Sequence, residues 1–160
     1  MQGVVPAAGR GSRLRPFTDD QPKALIEVDG RPLLTHVFET LSPHVSEYIV
    51  VVGYLGDRIR EHYGSIFEGT PITYVEQLES RGLADAVLQA APAVEGPFLQ
   101  LNGDNVLRGN VGEVVTRHQE TAADATLLVD HVSADRARRG GVLDLDHGAV
   151  VGLVEKPEDP

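Results

Sequence analysis

The stretch from Val4 to Glu27 holds most of the chemistry this chain can offer. An apolar run ends at Pro6, and the chain then enters Ala7-Ala8-Gly9-Arg10-Gly11-Ser12-Arg13, where every residue is small or cationic. Small residues let backbone N–H groups approach an anion, and Gly9 and Gly11 permit dihedrals that a side chain forbids. Arg10, Arg13, Arg15 and Lys23 add full positive charge. Within residues 1–23 these four cations face only Asp19 and Asp20, whereas residues 24–160 carry 10 cations and 22 carboxylates. A cationic loop in a chain of formal charge -10 points to a polyanionic ligand. The loop is neither a P-loop, because no lysine follows Gly11, nor a dinucleotide fingerprint, because Leu14 stands where the third glycine belongs.

Three further places offer polar groups at turns. Gln77 and Gly82 lie in a loop that feeds a helix, and Asp104 and Asn105 follow an apolar run ending at Leu101. Gly141 opens an apolar hairpin that closes on Glu155-Lys156-Pro157. By residue type alone each has a plain structural reading. Asp85 suits the first turn of a helix, Asp104 suits a turn or a cap, and Glu155-Lys156 suits a polar, extended end.

Taken together and in order, the motifs resemble the sugar-1-phosphate nucleotidylyltransferases. Gly9-x-Gly11-Ser-Arg-Leu-x-Pro-x-Thr18, followed by Pro22-Lys-Ala-Leu25, is similar to the signature of that family at both ends and in spacing. The resemblance is to the glucose-1-phosphate thymidylyltransferase branch in particular. It implies attack of a sugar 1-phosphate oxygen on the α-phosphate of a nucleoside triphosphate, with magnesium (Mg2+) as cofactor and pyrophosphate as product.

The same resemblance implies roles, residue by residue. Ala7, Ala8, Gly9, Gly11, Ser12 and Arg13 would hold the triphosphate, and Gln77 with Gly82 would meet the base. Gln carries a donor and an acceptor, which matches the imide edge shared by thymine and uracil, so a pyrimidine triphosphate is expected; the resemblance to the thymidylyltransferase branch implies dTTP first and UTP next. Asp104 would take the metal. Asn105, Gly141, Glu155 and Lys156 would hold the sugar phosphate, and Arg13, Lys23 and Lys156 would neutralise the approaching phosphates. Gly140 replaces the aromatic residue usual before Gly141, which bears on the choice of sugar. Alternatives are a regulatory, non-catalytic nucleotide- or sugar-phosphate-binding module, and a uridylyl-, guanylyl- or cytidylyltransferase acting on another phosphorylated substrate. Family members continue beyond Glu-Lys-Pro, so residues 1–160 are expected to be the N-terminal portion of one truncated domain, binding nucleotide with weak or absent turnover.

Composition narrows the classes. A 160-residue chain that is 41% hydrophobic can bury a sizeable core. The absence of cysteine removes disulfides, thiolate nucleophiles and thiolate metal sites. His36, His44, His62, His118, His131 and His147 form no metal-ligand spacing. Net acidity argues against nucleic acid or an anionic membrane as partner, and no apolar run approaches the ~20 residues of a bilayer span. The expected location is cytoplasmic, and a homo-oligomer is compatible with the resemblance. Lys23 and Lys156 are the only lysines, and this acid-rich, lysine-poor balance is of the kind that salt-adapted or GC-rich organisms produce.

The elements that must position these residues read as alternating strands and helices. Residues 2–6, 48–52, 72–75, 97–101 and 125–129 are expected as strands. Helices are expected from Arg31-Pro32 through Leu41, over 56–63, from the Gln77 loop to about Ala93, and over 111–119. Asp135 to Arg139 reads as a solvated, charged turn, and residues 140–154 as a hairpin. Continuous apolar strands separated by helices predict an α/β fold, a Rossmann-like three-layer α/β/α sandwich around a mostly parallel sheet. The resemblance implies the same fold.

Overall fold

A computed structural model describes residues 1–79 and 81–159; Ser80 and Pro160 lie outside the described residues. The chain falls into two compact units, Met1–Ala122 and Ala123–Pro160. Each is described by itself.

The first unit is a doubly wound α/β layer structure. Strands β1 (Gln2–Pro6), β4 (Glu47–Val52), β6 (Thr70–Glu76) and β7 (Phe98–Gln100) run parallel, and β5 (Ile66–Phe67) closes one edge antiparallel to β6. The order across the sheet is β5-β6-β4-β1-β7. Helices α1 (Leu33–Leu41) and α2 (Gly56–Tyr63) carry the chain from β1 through β4 to β6. Helix α3 (Leu83–Ala90) then carries it back past β1 to β7, and α4 (Val111–Glu120) follows.

Alternation along the strands decides which helix covers which face. Val5, Tyr48, Val50 and Val52 join Leu34, Val37, Phe38 and Leu41 of α1 and Ile59 of α2 in one buried cluster. Their neighbours Val4, Ile49 and Val51 join Ala86 and Ala90 of α3 in a second. Both faces are therefore covered, as continuous apolar strands require. On the α1 face Phe38 is fully buried, with its ring 4.4 Å from Tyr48, 5.0 Å from Phe67 and 5.1 Å from Tyr63. Burial there pushes the Tyr48 and Tyr63 phenols up to about 12. At the start of β4, hydrogen bonds from Thr73 and Gln2 hold the Glu47 carboxyl below its ordinary value.

In the first unit, Arg31-Pro32 and the end of α3 differ from the reading of the sequence. Arg31-Pro32 does not start a helix but forms β3, paired with β2 (Glu27–Val28) across Asp29 and Gly30. Both turn residues have positive φ, 55° and 73°, the conformation that an Asp-Gly hairpin turn uses. The α-helix expected to reach Ala93 stops at Ala90, and Ala91–Ala93 continues as a 3-10 turn containing Pro92, which cannot extend the α-helical ladder.

In the second unit, β8 (Gly141–Asp146) and β9 (Ala149–Glu155) make the expected hairpin around His147 and Gly148, both at positive φ. The expected charged turn at Asp135–Arg139 is a short helix, α5 (Ala134–Ala137), in which Arg138 bonds Asp135. The fifth strand expected over Ala125–Val129 does not form. Its residues have strand propensity, but a strand is stable only within a ladder, and no strand among the described residues pairs with it. No helix among the described residues is long and apolar enough to cross a membrane.

Candidate active site

The return of the chain from β6 past β1 to β7 creates a reversal in strand order. Loops leaving β1 and β7 at their carboxyl ends flank that point, and this is where open α/β sheets hold ligands. A cleft of about 240 Å³ occupies that place, lined by Pro6, Ala7, Ala8, Gly9, Lys23, Ala24, Gln77, Gly82, Leu83, Ala86, Asn102, Gly103 and Asp104.

Each wall has a local cause. Ala7 donates its N–H to Val51 O at 2.8 Å, which holds the first residue after β1 beside β4. Behind Ala8, Gly53 comes so close that a Cβ would sit 3.0 Å from both the Ala8 Cβ and the Ala8 carbonyl oxygen. On the other side Gly103 donates to Pro6 O at 2.9 Å, and a Cβ there would meet Ala7 Cβ at 3.0 Å. Only glycine allows the two loops to approach this closely.

Lys23 is positioned by its neighbours. Pro22, Ala24 and Leu25 are buried, and Leu25 N bonds Pro22 O at 2.9 Å, so the short 3-10 turn Lys23–Leu25 is anchored with the lysine stem outward. Its ammonium contacts the Asp104 carboxylate directly, across 81 positions of sequence. Gly11, at φ 62°, packs against that stem: a Cβ would lie 3.1 Å from Lys23 Cβ and 3.0 Å from Thr18 Cγ2. Thr18 is 2% exposed and donates its hydroxyl to Gly11 O at 3.0 Å. Thus the glycine loop, the buried threonine and the lysine form one packed unit.

Gln77 is buried at the end of β6, its N–H bonded to Val52 O at 2.8 Å. Its side-chain Nε2 donates to Gly82 O at 3.2 Å and to Asp85 Oδ2 at 2.6 Å.

The structure therefore brings together Ala7, Ala8, Gly9, Lys23, Gln77, Gly82 and Asp104 in one cleft. Gly11, Ser12, Arg13 and Asn105 stand outside its lining; Ser12, Arg13 and Asn105 are exposed on the adjoining turns. Of the four early cations, Lys23 lines this cleft. Arg10 instead lies over the Tyr54 ring, 5.1 Å from its centroid, in a neighbouring hollow lined also by Arg60 and Glu76, and Arg15 pairs with Asp19 at 3.3 Å. Sequence reasoning passed over Asn102, Gly103 and Leu83. Gly103 was within reach, as the glycine directly before the singled-out Asp104.

In the second unit the remaining predicted residues also come together. Gly141 pairs with Glu155 across the hairpin, and a Cβ on Gly141 would lie 3.4 Å from Glu155 Oε2. Lys156, at φ 49°, donates its N–H to Gly140 O at 2.8 Å, and its ammonium is 3.6 Å from the Glu155 carboxylate.

Fold and cleft define the class: a doubly wound α/β protein whose switch point presents a glycine-lined, lysine-bearing cleft. Its sequence matches the Nucleotidyl transferase family over residues 2–160. It is 46% identical over 162 residues to the UTP–glucose-1-phosphate uridylyltransferase AglF of Haloferax volcanii, covering all of this chain and 67% of that protein. A glucose-1-phosphate thymidylyltransferase of Streptomyces antibioticus is 34% identical over 164 residues, covering 100% of this chain and 46% of that one. A crystal structure from Bacillus anthracis, assigned as a glucose-1-phosphate thymidylyltransferase and holding sucrose, superposes with a TM-score of 0.91 at 26% identity. It covers 100% of this chain and 66% of its own. The chain belongs to the nucleotidyl transferase family, and spans between about a third and two thirds of the curated relatives it matches.

Proposed function

We propose that the chain transfers a uridylyl or thymidylyl group from the nucleoside triphosphate to glucose 1-phosphate, in the cytoplasm, giving the nucleotide-sugar and pyrophosphate. One observation carries this reading. Lys23 and Asp104, delivered from the loops after β1 and β7, meet in a glycine-lined cleft with Gln77 and Gly82 at its other wall. The relative at 46% identity is named for UTP, which supports proposing UTP ahead of dTTP.

In the reaction, a phosphate oxygen of the sugar phosphate bonds to the α-phosphorus. The bond from that phosphorus to the oxygen bridging toward the β-phosphate breaks, and this oxygen leaves with the electron pair as part of pyrophosphate. The attacking oxygen is already anionic, so no general base is needed; the protein's task is in-line positioning and charge neutralisation. Backbone at Ala7, Ala8 and Gly9, continued by Gly11, Ser12 and Arg13, is assigned to the triphosphate. Lys23 neutralises the phosphates, and Gln77 with Gly82 meets the base. Asn105, Gly141, Glu155 and Lys156 are assigned to the sugar phosphate.

Asp104 fits a magnesium ion. That ion takes one or two carboxylates and completes its octahedron with water and phosphate oxygens. No cluster of three metal-ligating side chains occurs among the described residues, so the triphosphate's own oxygens would supply the remaining protein-site ligands. Bound there, the ion supplies charge neutralisation on the transferring phosphoryl group.

The test is pyrophosphate release from glucose 1-phosphate with UTP, dTTP, CTP, ATP and GTP in parallel, beside calorimetric binding of each nucleotide. Nucleotide binding with weak, magnesium-dependent release from UTP or dTTP is the expected result. Tight pyrimidine-nucleotide binding without release would identify a binding module instead, and no nucleotide binding would overturn the cleft assignment.

A further inference from the structure

We propose that Asp85 sets which nucleobase the cleft accepts, acting through Gln77 as a positioning residue. The proposal rests on the pyrimidine-nucleotide reading of the same cleft.

The argument is one of donor and acceptor count. An amide nitrogen carries two hydrogens. In Gln77 both are directed at oxygen: one at the Gly82 carbonyl, 3.2 Å away, and one at Asp85 Oδ2, 2.6 Å away. A backbone carbonyl and a carboxylate can only accept. Turning the amide over would set its own oxygen against both of them with no hydrogen between, inside a residue only 7% exposed. Asp85 is the stronger of the two constraints, because a charged acceptor makes the shorter and stronger bond.

Its own position is fixed in turn. Gln89, one turn along α3, donates to Asp85 Oδ1 at 3.4 Å, and the adjacent Ala86 and Ala90 are buried against the sheet.

With both hydrogens committed, Gln77 is left with Oε1, which only accepts. The sequence reading, in which Gln offers a donor and an acceptor together, is thereby sharpened. A base held with its N3 against Oε1 must bring a hydrogen there. Uracil and thymine do so through the imide N3–H; cytosine presents an unprotonated N3 at the same place, lone pair against lone pair. Asp85 therefore selects uracil and thymine against cytosine without touching either, and a base analogue that cannot satisfy a buried acceptor is rejected strongly.

The experiment measures UTP and CTP affinity by calorimetry for the chain and for Asp85→Leu and Asp85→Asn, each checked for an unchanged far-ultraviolet spectrum. Leucine keeps the branched shape and removes the stronger acceptor, leaving only the 3.2 Å bond to the Gly82 carbonyl to hold the amide, so the UTP preference over CTP is expected to fall by roughly tenfold or more. Asparagine retains an acceptor oxygen and is expected to keep the ratio within about threefold. Should the leucine variant fail to fold, Asp85→Ala removes the same acceptor with a good helix former and gives the same readout. An unchanged UTP:CTP ratio in the leucine or alanine variant, whatever the loss of affinity for both, would reduce Asp85 to a structural role and overturn the proposal. Failure of the unsubstituted chain to bind either nucleotide would instead overturn the reading of the cleft on which it rests.

Discussion

The two units contain residues of equal standing in the sequence and give them very different support. In Met1–Ala122, most cleft residues are buried or stand directly beside a buried one: Ala7 beside Ala8, Lys23 between Pro22 and Ala24, Gln77 itself, Asp104 after Gly103. In Ala123–Pro160 no described residue is buried, and the hairpin shows Val151, Leu153 and Val154 to solvent at 61%, 66% and 57%. A motif match says which side chains belong to a site. Only burial beneath them says how firmly they are held.

That contrast can be tested by breaking each side. Phe38→Ala removes the ring around which Tyr48, Tyr63 and Phe67 pack, and should lower stability by about 3–5 kcal/mol in chemical denaturation. An effect under 1 kcal/mol would mean that the first unit is not one packed core. Next in size, Lys23→Met and Asp104→Asn should each cut turnover by roughly 10²–10³. Because the two groups touch, the double variant should cost far less than the product of the two losses. Multiplicative losses in a double-mutant cycle would show that the contact is incidental.

A smaller effect separates the units by pH. The raised Tyr48 and Tyr63 phenols favour the neutral form in the fold, so their contribution is complete below pH 10, the ordinary tyrosine value, and is lost as pH climbs toward about 12. The first unit should therefore lose stability across that window, and Tyr48→Phe, which gives up only the hydroxyl bond to Phe38 O at 3.0 Å, should flatten the loss. Melting temperatures recorded between pH 9 and 12 would check it; identical slopes in both proteins would exclude Tyr48 as the cause. Smallest of all, Leu153→Ala in the hairpin should change stability by no more than ~0.5 kcal/mol. A larger loss would mean that this exposed face carries packing of its own.

Much of the first unit was legible because its signals are redundant. Val4-Val5 and Ile49 to Val52 are continuous apolar runs, which only a strand covered on both faces needs, and α1 shows its buried face at Leu34, Val37, Phe38 and Leu41. What escaped was written in fewer residues. The Asp29-Gly30 turn made a hairpin of Arg31-Pro32, where the proline had suggested a helix start. Ala125–Val129 has the composition of a strand, yet composition carries no information about a pairing partner. In the site, residue types led to Lys23, Gln77 and Asp104. They gave no warning that Arg10 turns onto Tyr54, because a stacking partner on another loop leaves no mark in local spacing. Nor did they show that both Gln77 hydrogens are spoken for.

The ladder between β1 and β7 has only three residue pairs, Gln2 to Phe98, Gly3 to Leu99 and Val4 to Gln100, against five between β1 and β4. In kinetic terms, β7 is the parallel strand whose departure should come first when the sheet opens, and it takes Asp104 with it. A triphosphate spanning Lys23 and Asp104 is then a clasp across the shortest parallel seam of the sheet. Amide exchange in β7 should slow on nucleotide binding more than exchange in β4, so that the ligand is felt as cohesion of the sheet as well as occupancy of the cleft.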